Sequence, residues 1–430
     1  MTTAQRLLES LHEVNLGVSD KSILIYDGGC FTSVAERIAR DAGKVSYFVP
    51  WYSSELKIAR SYIGHGLDKV EVTTDFWGLI DSADLIFFPD VYQWDLMELL
   101  STQGYSVLGS GKSSILELNK KESRDICVDA GINMSKSEVV VGLDSLIEFL
   151  KGKTNKVVKP VIFRGESETF KYVDEESSKS LFDKVSLNLG PFANDYEFLV
   201  EDMVEGIECG VDGIVTDGEY LNPLLFGATS GYGYLAKVLP EENIPDPFKN
   251  TLSKLLPIFK QYETRMFFGT EEIYDKKSSY LLDLTLRMSN CHVSSIWTEL
   301  ISNFSEVVYG LGTGEKVDLS TDYTHCGSAV LVVSHEVDEW ATIKSPEGSE
   351  NWLKLEYNAK NKEGDYVIAP RGQVTIGAII SLGNSWDEVI AQLQERFEQV
   401  SCSIPLDPIP GESEFREIIE KVKEYGIEFD

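Results

Sequence analysis

The sequence predicts an α/β protein whose amino-terminal part forms a parallel sheet, followed by a central domain and a smaller carboxy-terminal domain of α+β type. Three observations predict this class. Strand-like and helix-like stretches alternate through the opening segment, which is the pattern of a βαβ parallel sheet. Later segments mix strand runs with amphipathic helices and lose that regular alternation. The chain has 430 residues, 43% of them hydrophobic. Single cores seldom grow beyond about 250 residues, so roughly two to four domains are expected.

The elements follow in order. The opening stretch "MTTAQRLLESLHEVNLGVSD" has one Arg, no Lys and no continuous apolar core, so it reads as a short surface helix and not as a signal peptide. "SILIYDGG" is a short apolar run ending in glycines, and "SVAERIARDAG" has helical spacing with a glycine stop. "KVSYFVPW" and "ADLIFFPD" read as further strands, the second of them buried, and "GYSVLGS" adds a strand and a turn. These make a first domain, 1–112. "SILELNKKESRDICVDAGI" is an amphipathic helix closed by Gly131. "SEVVVG", the helix "LDSLIEFLKG", the strand "NKVVKPVIF" and the helix "EESSKSLFDKVSLN" then form a small α+β block that ends near "YEFLVEDMVEG". It is expected to be a mobile lid, about 137–200, inside a central domain, 113–310. That domain continues with the helix "PFKNTLSKLLPIFKQYE" and closes on "FFGTEEIYDKKSSYLLDLTLRMSN", two strands joined by a turn at "DKKS". "GSAVLVVSH", "WLKLEYNAK", "YVIAPRGQVTIGAIISLG" and the helix "SWDEVIAQLQERFEQV" belong to the carboxy-terminal domain, 311–430.

Composition excludes several function classes. A net charge of −31, from 70 acids against 39 bases with no Lys/Arg run, repels a phosphate backbone, so no direct nucleic-acid partner is expected. No apolar run approaches the roughly 18 residues of a membrane span, so no membrane partner is expected either. Six scattered cysteines (Cys30, Cys127, Cys209, Cys291, Cys326, Cys402) contain no C-x-x-C pair and read as reduced thiols of a cytoplasmic protein. The five histidines (His12, His65, His292, His325, His335) have no metal-ligand spacing and read as structural.

The chemistry-bearing residues lie in the central segment. In "YLLDLTLRMS", 280–289, strand alternation puts Leu282, Leu284, Leu286 and Met288 on one face and Asp283, Thr285 and Arg287 on the other. Across the "DKKS" turn, Glu272 is expected beside Asp283; two facing carboxylates repel unless a cation lies between them, and oxygen-only ligands suit Mg²⁺ carrying phosphates. "VVKP" buries Lys159 at the end of an apolar strand, where it needs an anionic partner. Lys120 lies on a separate helix, in "LELNKKES". "EFLVEDMVEGIECGVDG" carries Glu201 and Glu208 on either side of Gly206; by itself it reads equally well as a solvated strand–turn–strand.

In this order the residues resemble the ATP-grasp ligases. The resemblance implies an amino-terminal domain of the pre-ATP-grasp type, an ATP-grasp centre, and ATP with Mg²⁺ as cofactors. It implies that Lys120, Lys159 and Arg164 contact nucleotide phosphates, that the backbone of Glu201, Asp202, Met203 and Val204 cradles adenine, and that Glu208 holds the ribose. The family's E-x-N-x-R strand is matched by Asp283, Thr285 and Arg287, with Glu272 before it: Glu272, Asp283 and Thr285 would be metal ligands, and Arg287 with Asp283 catalytic. Thr285 stands where the family has asparagine, and the loop "VIFRGESETF" has a single glycine.

Over nearly the whole chain the likeness is to the phosphoribosylamine–glycine ligases of purine synthesis. "ATSGYGYLAKVLP" resembles their T-G-G-M-G segment, at Thr229, Ser230 and Gly231, and "APRGQVTIGAII" their G-G-R-V stretch, at Arg371. "YDGGCFT" keeps Gly28 and Gly29 of G-G-R-E-H without its charged residues. These positions are the implied substrate contacts. The expected partners are a small-molecule carboxylate and an amine, the assembly a monomer or homodimer. A ligase for a different amine, a nucleotide-binding protein without chemistry, and a plain doubly wound domain pair with decorative charges are the alternatives.

Overall fold

The computed structural model describes residues 17–50, 62–162, 169–289, 291–370 and 372–430. The expected opening helix and the expected site residues Arg164 and Arg371 lie outside the described residues.

Strands β1 (Ser22–Tyr26), β2 (Lys44–Phe48), β3 (Val70–Thr73), β4 (Leu85–Phe87) and β5 (Val107–Leu108) form a parallel sheet in the order β3-β2-β1-β4-β5. Both faces are covered, which is why the strand sequences are apolar on both sides. Ile23 and Ile25 pack with the helices Thr32–Ile38 and Phe304–Thr313, while Leu24, Tyr26 and Ile86 pack with the helix Trp94–Thr102. The order of strands reverses between β1 and β4, the kind of switch point at whose carboxyl ends open α/β sheets take ligands.

A second, antiparallel sheet is built from β6 (Ser137–Val141), β7 (Lys156–Pro160), β8 (Phe170–Tyr172) and β9 (Glu197–Asp202), in the order β6-β9-β7-β8. It has its own core, in which Leu146 and Leu150 of one helix and Phe182 and Val185 of another meet Val158, Phe198 and Val200.

The central sheet uses β10 (Ile207–Thr216), β11 (Glu219–Ser230), β12 (Gly233–Leu239), β13 (Met266–Tyr274), β14 (Ser279–Thr285) and β15 (His325–Val332). The strands Leu353–Leu355 and Thr375–Gly383 complete eight. The sheet is thus continuous across the expected boundary at residue 311: β15 pairs with β12 and covers an edge that would otherwise expose unpaired backbone groups. One face packs against the helix Asp246–Gln261, whose Phe248, Leu252, Leu255 and Phe259 recur at helical spacing against Phe226 and Phe268. The other face packs Ile214, Leu225, Ala236 and Phe267 against Trp297, Phe304 and Val308 of two further helices, Cys291–Leu300 and Phe304–Thr313, and turns polar at Glu271 and Asp283, where it meets the small sheet.

β9 and β10 are not a hairpin. They belong to different sheets, and 203–206 connect the small sheet to the body.

Candidate functional site

Four elements bring charge to one cleft. The helix Lys120–Asp129 starts at Lys120 because Asn119 caps it, its Oδ1 accepting from the Glu122 N–H at 3.1 Å. The Lys120 N–H donates to the Val161 carbonyl (2.9 Å), fastening the helix start to the end of β7. Lys120 and Arg124 lie one turn apart and share a face. Lys120 Nζ is paired with Asp283 Oδ1 of β14, and Arg124 Nη1 donates to Glu201 Oε1 of β9 at 2.6 Å. Lys159 Nζ of β7 lies 3.2 Å from both Glu201 Oε2 and Asp283 Oδ2 and donates to the Leu282 carbonyl at 3.1 Å. Burial alone would lower the affinity of Lys159 for its proton; Asp283, Glu201 and Glu271 reverse that and hold it firmly protonated. Asp283 is pushed up by burial, and Lys120 and Lys159 together bring it below the usual carboxylate range. The cleft therefore interlocks three cations with two acids, and Glu271 on its floor is a third.

Its floor differs from expectation at one residue. Glu272 does not face Asp283: it is fully buried on the helix-covered side of the sheet, where the hydroxyls of Thr251 (2.8 Å), Thr270 (2.9 Å) and Ser279 (2.6 Å) donate to it. The residue opposite Asp283 is Glu271, exposed to the cleft. The cause is a β-bulge. Glu271 pairs with Asp283 but Glu272 pairs with Leu281, so Leu282 is an extra residue that resets the alternation of β14. For the same reason Leu281 is buried with Leu284 and Leu286, whereas Leu282 is half-buried and lends its carbonyl to Lys159. Glu271 is open to water yet has protein on most sides of the cleft floor; desolvation first, then Asp283 and Glu208, raise it to about 7. Thr285 shares the face of Asp283 and pairs with Gly269.

Glu271 and Asp283 fit a divalent cation by donor chemistry: hard oxygen ligands on adjacent strands, one of them destabilised by the other's charge. No cluster of three or more His, Cys, Asp or Glu side chains converges as a metal site among the described residues. The chain thus offers two carboxylates, and further ligands would be phosphate oxygens and water.

Toward the connector, Glu208 of β10 is exposed and accepts from the Thr229 hydroxyl of β11 at 3.0 Å. This joins an expected ribose contact to an expected substrate contact. The Met203 N–H donates to the Asn155 carbonyl (3.0 Å) and the Asp202 N–H to the Lys136 carbonyl (2.8 Å), so two backbone donors of the expected adenine cradle are engaged; Val204 is half-buried beside them. The Asp202 carboxylate pairs with Lys156. Ser230 and Gly231, the latter at φ 57°, form the exposed tip of the β11–β12 hairpin.

At the other end of the cleft Arg287 is buried, donating from Nε to Glu117 Oε1 (2.9 Å) and from Nη1 to the Met288 carbonyl (2.8 Å), with Asp90 Oδ1 3.7 Å away. Glu117 also accepts from the Leu286 N–H (2.9 Å) and so positions the end of the strand as well as the guanidinium. Asp90 follows β4, and Asp27 follows β1 just before Gly28 and Gly29. The Gly29 carbonyl accepts from the Tyr357 N–H at 2.8 Å.

Sequence reading missed Arg124, Glu117, Glu271, Asp27 and Asp90. The four-residue spacing from Lys120 could have found Arg124, and the glutamate of "LELNK" could have pointed to Glu117. For Glu271 the adjacent acids gave no means of choosing.

No protein-family model matches the sequence, and no curated protein matches it. Solved structures do match its fold. Phosphoribosylamine–glycine ligase from Thermotoga maritima aligns over 89% of this chain and 97% of its own at 16% identity, with a TM-score of 0.63. Biotin carboxylase from Campylobacter jejuni, solved as an ATP complex, aligns over 90% and 93% at 12% identity and a TM-score of 0.65. N5-carboxyaminoimidazole ribonucleotide synthetase from T. maritima covers 90% and 100% at 13% identity and 0.59. The chain has the ATP-grasp fold. The charges of the cleft lie where the small sheet meets the central sheet.

Proposed function

We propose that the protein is an ATP-dependent ligase that joins a carboxylate to an amine through an acyl phosphate and releases ADP and phosphate. The observation that carries this reading is the convergence of Lys120, Lys159, Glu271 and Asp283, from a helix, the lid and the central hairpin, on one cleft. Such a set binds a polyphosphate and a divalent cation together.

Lys120 and Lys159 exchange their carboxylate partners for phosphate oxygens when ATP enters, which frees Asp283 to act beside Glu271. Those two acids would hold Mg²⁺, which when bound neutralises charge on the β- and γ-phosphates. Glu208 takes the ribose hydroxyls. Arg287, oriented by Glu117, lies beyond Thr285 on the same face and faces negative charge on the transferring phosphoryl group. An oxygen of the substrate carboxylate attacks the γ-phosphorus and ADP leaves; the amine nitrogen attacks the acyl carbon, phosphate leaves, and the amine loses a proton. With its Lys159 on the phosphates, the closed lid shields the acyl phosphate from water.

Both substrates are small molecules, and the resemblance to phosphoribosylamine–glycine ligases makes that pair the first to test. The experiment is release of ADP and phosphate by the purified protein with Mg-ATP, glycine and phosphoribosylamine generated in the tube, with mass spectrometry of products, followed by other amino acid and amine pairs. An amide formed with one ADP per product supports the ligase. ATP binding without turnover in every pair overturns it in favour of a nucleotide-binding protein.

A further inference from the structure

We propose that Asp212 is the base of the amide-forming step: it lies at the reacting end of the cleft and takes the proton that the attacking amine gives up. The proposal rests on the ligase reading for the reaction, which leaves that proton without a named acceptor; the position of Asp212 rests on the register of the central sheet.

Strand β13 marks out the cleft. Its Ile273 is opposite Glu208, its Glu271 opposite Asp283, and its Gly269 opposite both Asp212 of β10 and Thr285 of β14. Alternate residues share a face, so these are three successive rows about 7 Å apart. The ribose contact is in the first row and the two metal acids are in the second, so the phosphates run toward the third. One row spans a metal-bound phosphoryl group and the acyl oxygen bonded to it, which brings the acyl carbon to Asp212.

Two glycines, one on each strand flanking β10, shape this spot. A Cβ on Gly269 would fall 2.5 Å from Asp212 Oδ1 and 3.5 Å from Ser289 Oγ, so the carboxylate leans over Gly269 on the face that carries Glu271. A Cβ on Gly227 would fall 2.3 Å from the Tyr234 hydroxyl, so the glycine lets the tyrosine ring cross β11. That hydroxyl donates to Asp212 Oδ2 at 3.1 Å, and the Ser289 hydroxyl lies 3.5 Å from Oδ1. Asp212 is 8% exposed, and Thr285 in its row and Ser289 are half-buried, so the row opens toward the cleft.

The surroundings suit a base. Burial, opposed by the hydrogen bonds from Tyr234 and Ser289, raises Asp212 to about 7, where a carboxylate accepts protons effectively at neutral pH. The other titratable groups at the Asp212–Tyr234 pair, Cys209 of β10 and Cys326 of β15, are held protonated by burial. In the step, the amine nitrogen bonds to the acyl carbon and the carbon–oxygen bond to phosphate breaks, its electron pair leaving on phosphate. The nitrogen passes one proton to Asp212, which stays a neutral acid until the product leaves.

The test separates the two half-reactions in the full chain. With Mg-ATP and each common amino acid as carboxylate, hydroxylamine traps an acyl phosphate as the hydroxamate; unprotonated at neutral pH, it needs no base. The amino acids themselves, ethanolamine and phosphoribosylamine generated in the tube serve as the amines for amide formation. Asp212→Asn should lower kcat for the amide about a hundredfold or more, and the hydroxamate less than about threefold. In the unmodified protein amide formation should fall as pH drops below about 7. Tyr234→Phe, which removes a hydrogen bond to the ionised carboxylate, should move that fall to higher pH. Unchanged amide formation in Asp212→Asn, equal loss of both products, or a raised KM for the amine at unchanged kcat overturns the proposal, as does hydroxamate without any amide in the unmodified protein. Hydroxamate from no amino acid in the unmodified protein counts against the ligase reading itself.

Discussion

The two ends of the cleft handle buried charge in opposite ways. At the lid end each buried charge has a counter-charge within reach: Arg124 and Lys159 on Glu201, Lys159 and Lys120 on Asp283. At the switch-point end Arg287 is shared between two acids, while the buried Asp27 has hydrogen bonds but no ion pair among the described residues. A matched set is stable when empty and can trade its internal partners for a ligand carrying both charges, as Mg-ATP does. An acid buried without a counter-charge makes the folded state less stable while it is ionised. Neighbouring Glu271 and Glu272 repeat the contrast within one strand, the first facing charges across the cleft and the second satisfied by three hydroxyls.

The comparison can be broken at its strongest point first. Glu271→Gln and Asp283→Asn should each lower Mg²⁺-dependent ADP release tenfold or more, the scale of a lost charge-stabilising metal contact; near-normal turnover in both would remove the metal assignment. Lys159→Met should weaken ATP binding by about tenfold, as loss of a charge-assisted contact does, read by calorimetry. Glu272→Ala should instead spare the magnesium dependence and cost about 2 kcal/mol of stability or more by removing the acceptor of the buried Thr251 and Ser279 hydroxyls, read by chemical denaturation.

Asp27 sharpens the other side. Its folded-state value of about 6 lies above an unfolded value of about 3.9, so the folded state holds this proton more tightly. Its contribution to stability is greatest below pH 4, declines as pH rises from about 4 to about 6, and stays low above that, by up to about 3 kcal/mol. Asp27→Asn should therefore melt no lower than the unmodified protein at pH 7.5 and lose this part of the pH dependence; a lower melting temperature would mark the acid as structural. The smallest effect is expected for the exposed Glu208, where Glu208→Ala should weaken ATP binding a few-fold; unchanged affinity would take it out of the ribose role.

Much of the site was legible because its signals are local. A lysine at the end of an apolar strand must have an anionic partner, and Lys159 has two. The turn at "DKKS" forms as expected, with Asp275 Oδ1 accepting from the Lys277 and Ser278 N–H groups at 2.8 Å. Asp27 escaped notice because its neighbour Tyr47 is 20 residues away on another strand. Glu117 and Arg287 meet across 170 residues, which no local pattern reports.

By itself, the sequence determined the alternation that builds the parallel sheet, the hairpin carrying Asp283, and two of the cations, Lys120 and Lys159, since each depends on residue type and spacing within a few positions. Tertiary structure decided which of two adjacent glutamates faces the cleft, because one inserted residue at Leu282 reverses the parity of every side chain before it. It also decided that Asp90 lies close enough to Asp27 for its charge to act on it, because strand order, which sequence spacing does not encode, brings the ends of β1 and β4 together.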